Sequence, residues 1–167
     1  MDNPYYEKLI NAALRFVSYS PRSEKEFTDF LTKKLAKWKV SGSILIKKVI
    51  DRMRELGYVD DRVFASWWLD QRMTFKPAGR RLIAFELMRK GISRDIIDEA
   101  FLHQREEKPL FNEIDEAKKS IKKKIVLWER MPLIEQKKKL YTFLAQRGFS
   151  SDTIRKIIDE VGEKDYN

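Results

Sequence analysis

The chain lacks cysteine and has a single histidine among its 167 residues. Without cysteine it can form no disulfide, thiolate metal site or cysteine nucleophile, and a reducing cytosol is the expected compartment. His103 has no second type of metal ligand at helical spacing, so neither a metal site nor a general base is expected there. The sequence also has no glycine-rich phosphate loop and no nucleophile–base pair. An enzyme is therefore the weakest class, and no cofactor is predicted.

Long hydrophobic runs are missing too. The longest uncharged apolar run covers residues 125–128, which is far too short to cross a bilayer. The first residues show no basic segment followed by an apolar core, so export is not expected and no membrane partner is predicted. Apolar residues nevertheless make up 43% of the chain, enough to bury a core.

A helical unit recurs along the chain. Gly91 and Gly148 each begin a Gly-apolar-Ser segment, and apolar or small residues follow six, nine and ten positions later. The same offsets from Val40 reach Ile46, Val49 and Ile50. They define one face of a helix, and glycine suits the left-handed turn that ends the preceding helix. The recurrence predicts an all-α tandem array of three three-helix repeats, at residues 1–59, 60–106 and 107–167. Stacking would cover the apolar faces, so a monomer is expected.

Local signals place several residues within these repeats. Ser23 and Glu26 form a capping box, and Asp60 or Asp61 is expected to cap the helix that carries Phe64. Tyr58 is expected to pack between the first two repeats. The third repeat follows the charged connector 103–108, which should bury little, so residues 1–106 are expected to fold without it.

Positive charge is concentrated in two blocks. The net charge is +9, and residues 71–94 hold seven basic side chains against one acid, whereas residues 118–139 hold nine against two. Solvated helix faces normally mix the two signs, so these blocks favour an acidic partner such as nucleic acid or an acidic protein groove; ordinary solubility charge is the alternative. The candidate contact residues are Arg72, Lys76, Arg80, Arg81, Phe85, Arg89, Lys90, Lys119, Lys122 and Lys123.

One helix in the first block suggests a more specific surface. Arg81, Phe85 and Arg89 are spaced i, i+4 and i+8, which puts them on one side of a helix. An aromatic ring between two arginines suits a nucleobase or an acidic protein groove. Packing of Phe85 against the next repeat is the alternative, and the sequence does not decide between the two.

The middle of the chain resembles a known family. Similarity is found at residues 56–65, Arg72 and Gly79, and at the segments 81–82, 86–87 and 90–92. Together they resemble the central signature of RecX, the bacterial regulator of the RecA recombinase. Residues 22–24 are similar to the helix start of that family, and the resemblance extends from about residue 9 to residue 161. The residues assigned a structural role in this signature are Gly57, Tyr58, Asp60, Asp61, Phe64, Gly91 and Gly148.

The resemblance implies three tandem three-helix repeats in an elongated, curved array. It also implies binding in the groove of the RecA–DNA filament, with the ATPase, strand-exchange and coprotease activities of RecA modulated, usually downward. Val40 stands where the family usually has glycine, so that turn must be built differently, through Gly42. The lysine-rich segment 118–124 matches no motif of the family.

A second functional class stays open. The basic blocks are also compatible with a helical protein that binds DNA or RNA, single- or double-stranded, without RecA. Binding to naked DNA would weaken steeply with salt because counterion release dominates it, whereas binding to a filament should keep a component that requires the partner protein.

Overall fold

The computed structural model describes residues 4–107 and 112–164, with side chains described up to residue 162. These ranges contain nine helices and no strand, which confirms the predicted all-α fold for the described part of the chain. The predicted start of the third repeat, residue 107, adjoins residues 108–111, which lie outside these ranges. The helices are α1 (Pro4–Val17), α2 (Glu24–Lys37), α3 (Ser43–Glu55), α4 (Asp61–Phe75), α5 (Arg80–Arg89), α6 (Arg94–Glu107), α7 (Glu113–Trp128), α8 (Leu133–Gln146) and α9 (Ser151–Lys164).

The described residues belong to two compact units. The first contains the described part of Met1–Trp67 together with Leu87–Ala100, and the second contains Trp68–Glu86 with the described part of Phe101–Asn167. The first unit thus includes α1 to α3, and the second includes α7 to α9. The residues of α4, α5 and α6 are divided between the two units. The three sequence repeats remain a prediction as domain boundaries.

Helices α1, α2 and α3 all contact one another around an apolar core in the first unit. Leu9, Phe27, Leu31 and Met53 are completely buried there. The predicted capping box is confirmed: the Ser23 hydroxyl accepts a hydrogen bond from the Glu26 amide at 3.2 Å, and the Glu26 carboxylate accepts one from the Ser23 amide at 3.1 Å. A box of this type satisfies two amides that the helix start leaves without partners.

The turn between α2 and α3 differs from the prediction. Lys39, rather than Val40 or Gly42, takes the left-handed conformation, with φ of +57°. The Val40 amide then donates to the Leu35 carbonyl at 3.0 Å, the same bond that Ile92 and Phe149 make to Leu87 and Leu144 after Gly91 and Gly148. Gly42 is the residue before α3 and has extended backbone, with φ of −173°.

The turn in the first repeat is therefore one residue longer than its counterparts. Counted from the residue in the left-handed conformation, α6 and α9 begin three positions later and α3 begins four positions later. The extra residue restores the helix register, so Val49 and Ile50 are buried as predicted. Ile46 is only partly buried, and its neighbour Leu45 lies in the core instead.

Two apolar residues near α4 are exposed, among them Tyr58, which was expected to pack between the first two repeats. Tyr58 is 47% exposed, and the neighbouring Val59 is the residue that enters the core of the first unit. Val63 is 60% exposed, so it does not share the buried face of α4 with Phe64, which is 1% exposed. Val63 and Phe64 are adjacent positions of α4, and such positions differ by about 100° in direction.

Helices α7, α8 and α9 form the core of the second unit. All three pairs are in contact, and Ala117, Leu140 and Leu144 are completely buried. Ser150 caps α9, because its hydroxyl accepts a hydrogen bond from the Thr153 amide at 3.3 Å. The same hydroxyl donates to the Glu113 carboxylate at 2.6 Å, which ties the first turn of α7 to the start of α9.

Candidate functional site

The turn between α4 and α5 is anchored to the turn between α8 and α9, and three of the predicted contact residues lie in it or at the start of α5. The Arg147 guanidinium donates a hydrogen bond to the Pro77 carbonyl at 3.0 Å. The Gly79 amide donates to the Arg147 carbonyl at 2.9 Å. Ala78 and Gly79 are buried as a result. These bonds fix the backbone from which the neighbouring basic side chains project.

Two glycines make this anchoring possible. A Cβ atom on Gly79 would collide with the backbone of Gly148 and Phe149, and one on Gly148 would collide with the backbone of Leu82. Gly148 also has φ of +76°, in the left-handed region that favours glycine. Gly148, which was predicted at a helix end, therefore also makes a close backbone contact.

The chain before the connector 103–108 therefore also contacts the third repeat, which was not expected. Pro77 and Gly79 are bonded to Arg147, and residues 68–86 belong to the same compact unit as residues 101–167. No sequence signal identified this contact, because Arg147 and Pro77 are 70 positions apart. Arg147 is thus a positioning residue that the sequence analysis missed.

The basic side chains around this turn are exposed. Lys76, Arg80 and Arg81 all project into solvent. The Arg80 guanidinium lies 4.5 Å from the centre of the Phe101 ring, a cation–π contact that restricts its orientation. Arg81 forms no ion pair with any described residue. Its charge is therefore available to an external anion.

Arg72 has a different environment. It forms an ion pair with Glu86, and the two side chains are only 18% and 22% exposed. The other oxygen of the Glu86 carboxylate accepts a hydrogen bond from the Trp68 indole at 3.1 Å. This half-buried arrangement joins α4 to α5 within the second unit. It gives Arg72 a structural role, although sequence analysis counted it among the contact residues.

Lys90 is also engaged within the protein, in the first unit. Its ammonium group lies 2.6 Å from the Glu26 carboxylate and 5.5 Å from the centre of the Phe64 ring. Its main-chain carbonyl accepts a hydrogen bond from the Ser23 hydroxyl at 2.7 Å. The side chain is 24% exposed. Lys90 thus connects the end of α5 to the start of α2.

The two residues that were predicted to share one side of a helix with Arg81 are also exposed. Phe85 is 52% exposed, and Arg89 is exposed as well. Helix α5 is continuous from Arg80 to Arg89, so Phe85 and Arg89 share one side of this helix with Arg81, as their i, i+4, i+8 spacing predicts. Exposure of about half the Phe85 side chain is compatible with either of the two roles that the sequence left open.

Helix α7 carries the second basic surface. Lys122 and Lys123 are exposed and have no ion pair with a described residue. Lys119 differs, because its ammonium lies 2.6 Å from the Glu116 carboxylate. That hydrogen bond and the attraction of the same carboxylate raise the pKa of Lys119. The lysine-rich helix thus presents at least two charges that no described acid neutralises.

The predicted aspartate caps serve two different helices. Asp60 caps α4, because its carboxylate accepts hydrogen bonds from the Arg62 and Val63 amides at 2.8 and 3.3 Å. Asp61 accepts a hydrogen bond from the Glu24 amide at 2.9 Å and so satisfies the start of α2. Burial raises the pKa of Asp61, and the hydrogen bond from Glu24 opposes that shift.

The glycines of the predicted signature have the expected conformation. Gly57, Gly91 and Gly148 have φ of +74°, +86° and +76°. A Cβ atom on Gly91 would also press against the Lys25 side chain, whereas one on Gly57 would meet nothing within 4 Å. Glycine is thus required for space at two of these positions and only for conformation at the third.

The described residues contain no group of three histidine, aspartate or glutamate side chains that could hold a metal ion. His103 lies on the surface, with its Nδ1 3.6 Å from the Glu107 carboxylate. Among the helices in the described ranges, none combines the length and apolar character that a membrane crossing requires.

The described helices and surface define a class: an all-helical protein with exposed basic side chains. The sequence matches the family descriptions "RecX, second three-helix domain" over residues 60–100 and "RecX, third three-helix domain" over residues 112–158. The chain belongs to the RecX family.

Individual relatives agree with this assignment. The chain is 31% identical to Regulatory protein RecX of Chlorobium phaeobacteroides over 160 residues, covering 93% of this chain and 94% of the relative. It is 28% identical to Regulatory protein RecX of Bacillus cytotoxicus over 97% of this chain, but spans only 57% of that longer protein. The crystal structure of RecX from Lactobacillus salivarius has the same fold, with a TM-score of 0.71 at 22% identity, covering 94% of this chain and 96% of that one.

Proposed function

We propose that this protein binds the RecA–DNA filament and lowers the ATPase, recombinase and coprotease activities of RecA in DNA repair and recombination. Membership of the RecX family is the observation that carries the proposal. The proposal assigns a binding role and no chemical reaction to the protein, which would act in the cytoplasm as a monomer without a cofactor.

The exposed cations support the proposal in chemical terms. A nucleoprotein filament presents phosphates and carboxylates, and both are bound by guanidinium and ammonium groups. Arg81 and the pair Lys122 and Lys123 offer such groups without a competing carboxylate among the described residues. Arg81 stands beside the turn that Arg147 anchors, so the backbone that carries it would need no ordering on binding.

Hydrolysis of ATP by RecA on single-stranded DNA provides the test. The protein added at a substoichiometric ratio to RecA should reduce the hydrolysis rate. Arg81→Glu should weaken this effect by about tenfold in the concentration required, since a reversed charge repels the anion that the arginine would bind. Arg105→Glu is the matched control, because Arg105 is an exposed arginine of the same unit. The Arg105→Glu variant should reduce ATP hydrolysis by RecA about as effectively as the unchanged protein does.

Binding to naked DNA tests the rival function. The double variant Lys122→Glu, Lys123→Glu should weaken DNA binding. The slope of the logarithm of the binding constant against the logarithm of salt concentration should also become shallower, by the amount that up to about two phosphate contacts contribute. The control pair, Arg155→Glu and Lys156→Glu, makes the same change of charge on exposed residues of α9. If the protein leaves the rate of ATP hydrolysis by RecA unchanged but binds DNA tightly and with strong salt dependence, the proposed function is wrong. Nucleic-acid binding without RecA would then take its place.

A further inference from the structure

A groove in the first unit combines aromatic side chains with cations and uses none of the residues discussed above as contacts. It lies against α1 and α2 and has a volume of about 500 Å³. Four aromatic residues contribute to its lining: Phe16, Tyr19, Phe30 and Trp38. The basic blocks do not extend to this part of the sequence, so charge density alone did not indicate it.

The charged lining of the groove has one sign. Lys8 and Arg15 lie on α1, Lys34 lies on α2, and no carboxylate is among the lining residues. None of these three cations forms an ion pair with a described residue. Lys8 and Arg15 are seven positions apart, which places them on the same side of α1 about 10 Å apart along its axis. The groove therefore attracts an anionic ligand of extended shape.

The aromatic rings indicate what kind of anion would fit. Phe16 and Phe30 stack face to face, with ring centres 4.2 Å apart. The Arg22 guanidinium lies 4.5 Å from the Phe16 ring, and the Lys34 ammonium lies 5.3 Å from the Phe30 ring. Both rings are thus engaged by stacking and by a cation, and together they form an apolar floor of the groove. Single-stranded nucleic acid binds best where ring faces are open for stacking.

We propose that this groove binds an acidic peptide segment of a partner protein. One aromatic or aliphatic side chain of the peptide would lie on the apolar floor, beside Tyr19, which is 85% exposed. Acidic side chains on either side of this anchor would pair with Lys8, Arg15 and Lys34. Peptides bind to helical grooves through apolar anchors of this kind, and charge complementarity selects the partner. The proposal is independent of the one for the RecA filament, because it concerns other residues and needs no DNA.

The test measures fluorescence anisotropy of a short labelled peptide made of aspartate and glutamate with one central phenylalanine. The full-length protein is compared with the variant Lys8→Glu, Arg15→Glu, Lys34→Glu. The control variant is Lys33→Glu, Lys37→Glu, Lys48→Glu, which makes the same change of charge at exposed residues that do not line the groove. The groove variant should lose at least about tenfold in affinity and the control less than about threefold.

Two further measurements isolate the apolar floor. Replacing the phenylalanine of the peptide with serine should weaken binding by about fivefold or more, since a buried aromatic anchor dominates such contacts. Tyr19→Ser should weaken binding by about threefold without affecting the fold, because the side chain is 85% exposed. This variant also keeps the test decisive if the triple charge reversal disturbs folding.

Three results would overturn the proposal. The first is equal loss of affinity in the groove and control variants, which would mean general charge attraction. The second is no effect of either the serine peptide or Tyr19→Ser. The third is preferential binding of a short oligothymidylate that competes with the peptide and depends on Tyr19, which would identify a nucleic-acid site instead.

Discussion

In the block at residues 71–94, Arg72 and Lys90 are paired with Glu86 and Glu26 and are partly buried. In the block at 118–139, by contrast, Lys122 and Lys123 are exposed and unpaired among the described residues. Both blocks have a similar excess of positive charge in the sequence. The difference shows that the density of charge along a chain does not measure the charge a surface offers, because an acid brought close by folding can neutralise it.

The two blocks also differ in how their backbone is supported. The turn that contains Lys76 and leads into Arg80 and Arg81 is bonded to Arg147, whereas Lys122 and Lys123 lie in the middle of a regular helix. A helix holds its residues in register without help, but a turn requires contacts from elsewhere in the fold. The first block therefore depends on a segment that follows it by about 70 positions.

Removing the second block should give the largest effect on the first. A chain truncated after residue 106 loses Arg147 and Gly148, so the turn at residues 77–79 loses both of its anchoring hydrogen bonds. We expect the melting temperature to fall by more than about 10 °C, because apolar side chains of residues 68–86 would also become exposed to solvent. Thermal unfolding followed by circular dichroism measures this. A truncated protein as stable as the full chain would show that the anchoring contributes nothing.

Gly148→Ala should break the same support with a single methyl group. The added Cβ atom would collide with the Leu82 backbone, and alanine would have to adopt the unfavourable φ of +76°. The free energy of unfolding should fall by roughly 3 kcal/mol, from backbone strain and overpacking together.

Gly57→Ala provides the matched control for this change, because Gly57 has nearly the same φ, +74°, but open space around it. It should lose only about 1 kcal/mol, from conformational strain alone. Urea unfolding of the two variants separates the contributions. Equal losses in both would mean that the close approach of Gly79 and Gly148 relaxes without cost.

A comparison of Arg72→Met with Arg81→Met sharpens the contrast between paired and exposed arginines within one block. Arg72→Met leaves the half-buried Glu86 without its cation and should cost about 1–2 kcal/mol of stability. Arg81→Met should change stability by less than about 0.5 kcal/mol, because Arg81 is exposed. The reverse order of losses in urea unfolding would contradict the assigned roles.

The smallest expected effect concerns pH dependence at Asp61. Burial raises the pKa of this carboxyl in the folded protein above its ordinary value of 3.8. The protonated Asp61 carboxyl therefore contributes fully to the stability of the fold below pH 3.8, and this contribution is lost as pH rises through the pKa of the folded state. Asp61→Asn keeps an oxygen that can accept the Glu24 amide hydrogen bond and removes the charge. The variant should show a flatter stability curve just above pH 3.8.

Asp95→Asn controls for the loss of a first-turn carboxylate, since Asp95 is exposed at the start of α6. Urea unfolding at a series of pH values measures both variants. If Asp95→Asn flattens the curve as much as Asp61→Asn does, burial of Asp61 is not the cause.

Most of the helical architecture could be predicted from sequence because its signals are local. The capping box of Ser23 and Glu26 and the glycines that end helices depend on neighbours within a few positions, and the structure confirms them. Lys39 was missed because a lysine gives no sign of a left-handed conformation, and only the surrounding fold imposes it.

The candidate site was less predictable because it depends on distant contacts. Lys90 looked like a contact residue, but its partner Glu26 is 64 positions away. Arg147 gave no signal at all for its bond to Pro77. Exposure of Arg81, Lys122 and Lys123 agreed with the sequence pattern, since charged residues opposite an apolar stripe face solvent.

The Ser23 hydroxyl has a consequence for the order of folding. It accepts a hydrogen bond from the Glu26 amide in the first turn of α2 and donates one to the carbonyl of Lys90, the residue after α5, 67 positions later. One oxygen atom thus closes two helix ends that are synthesised far apart in time. The start of α2 can form its local bond early, but the hydroxyl proton finds its acceptor only after α5 has been made. Such long-range closure slows the final step of folding relative to the formation of the helices themselves.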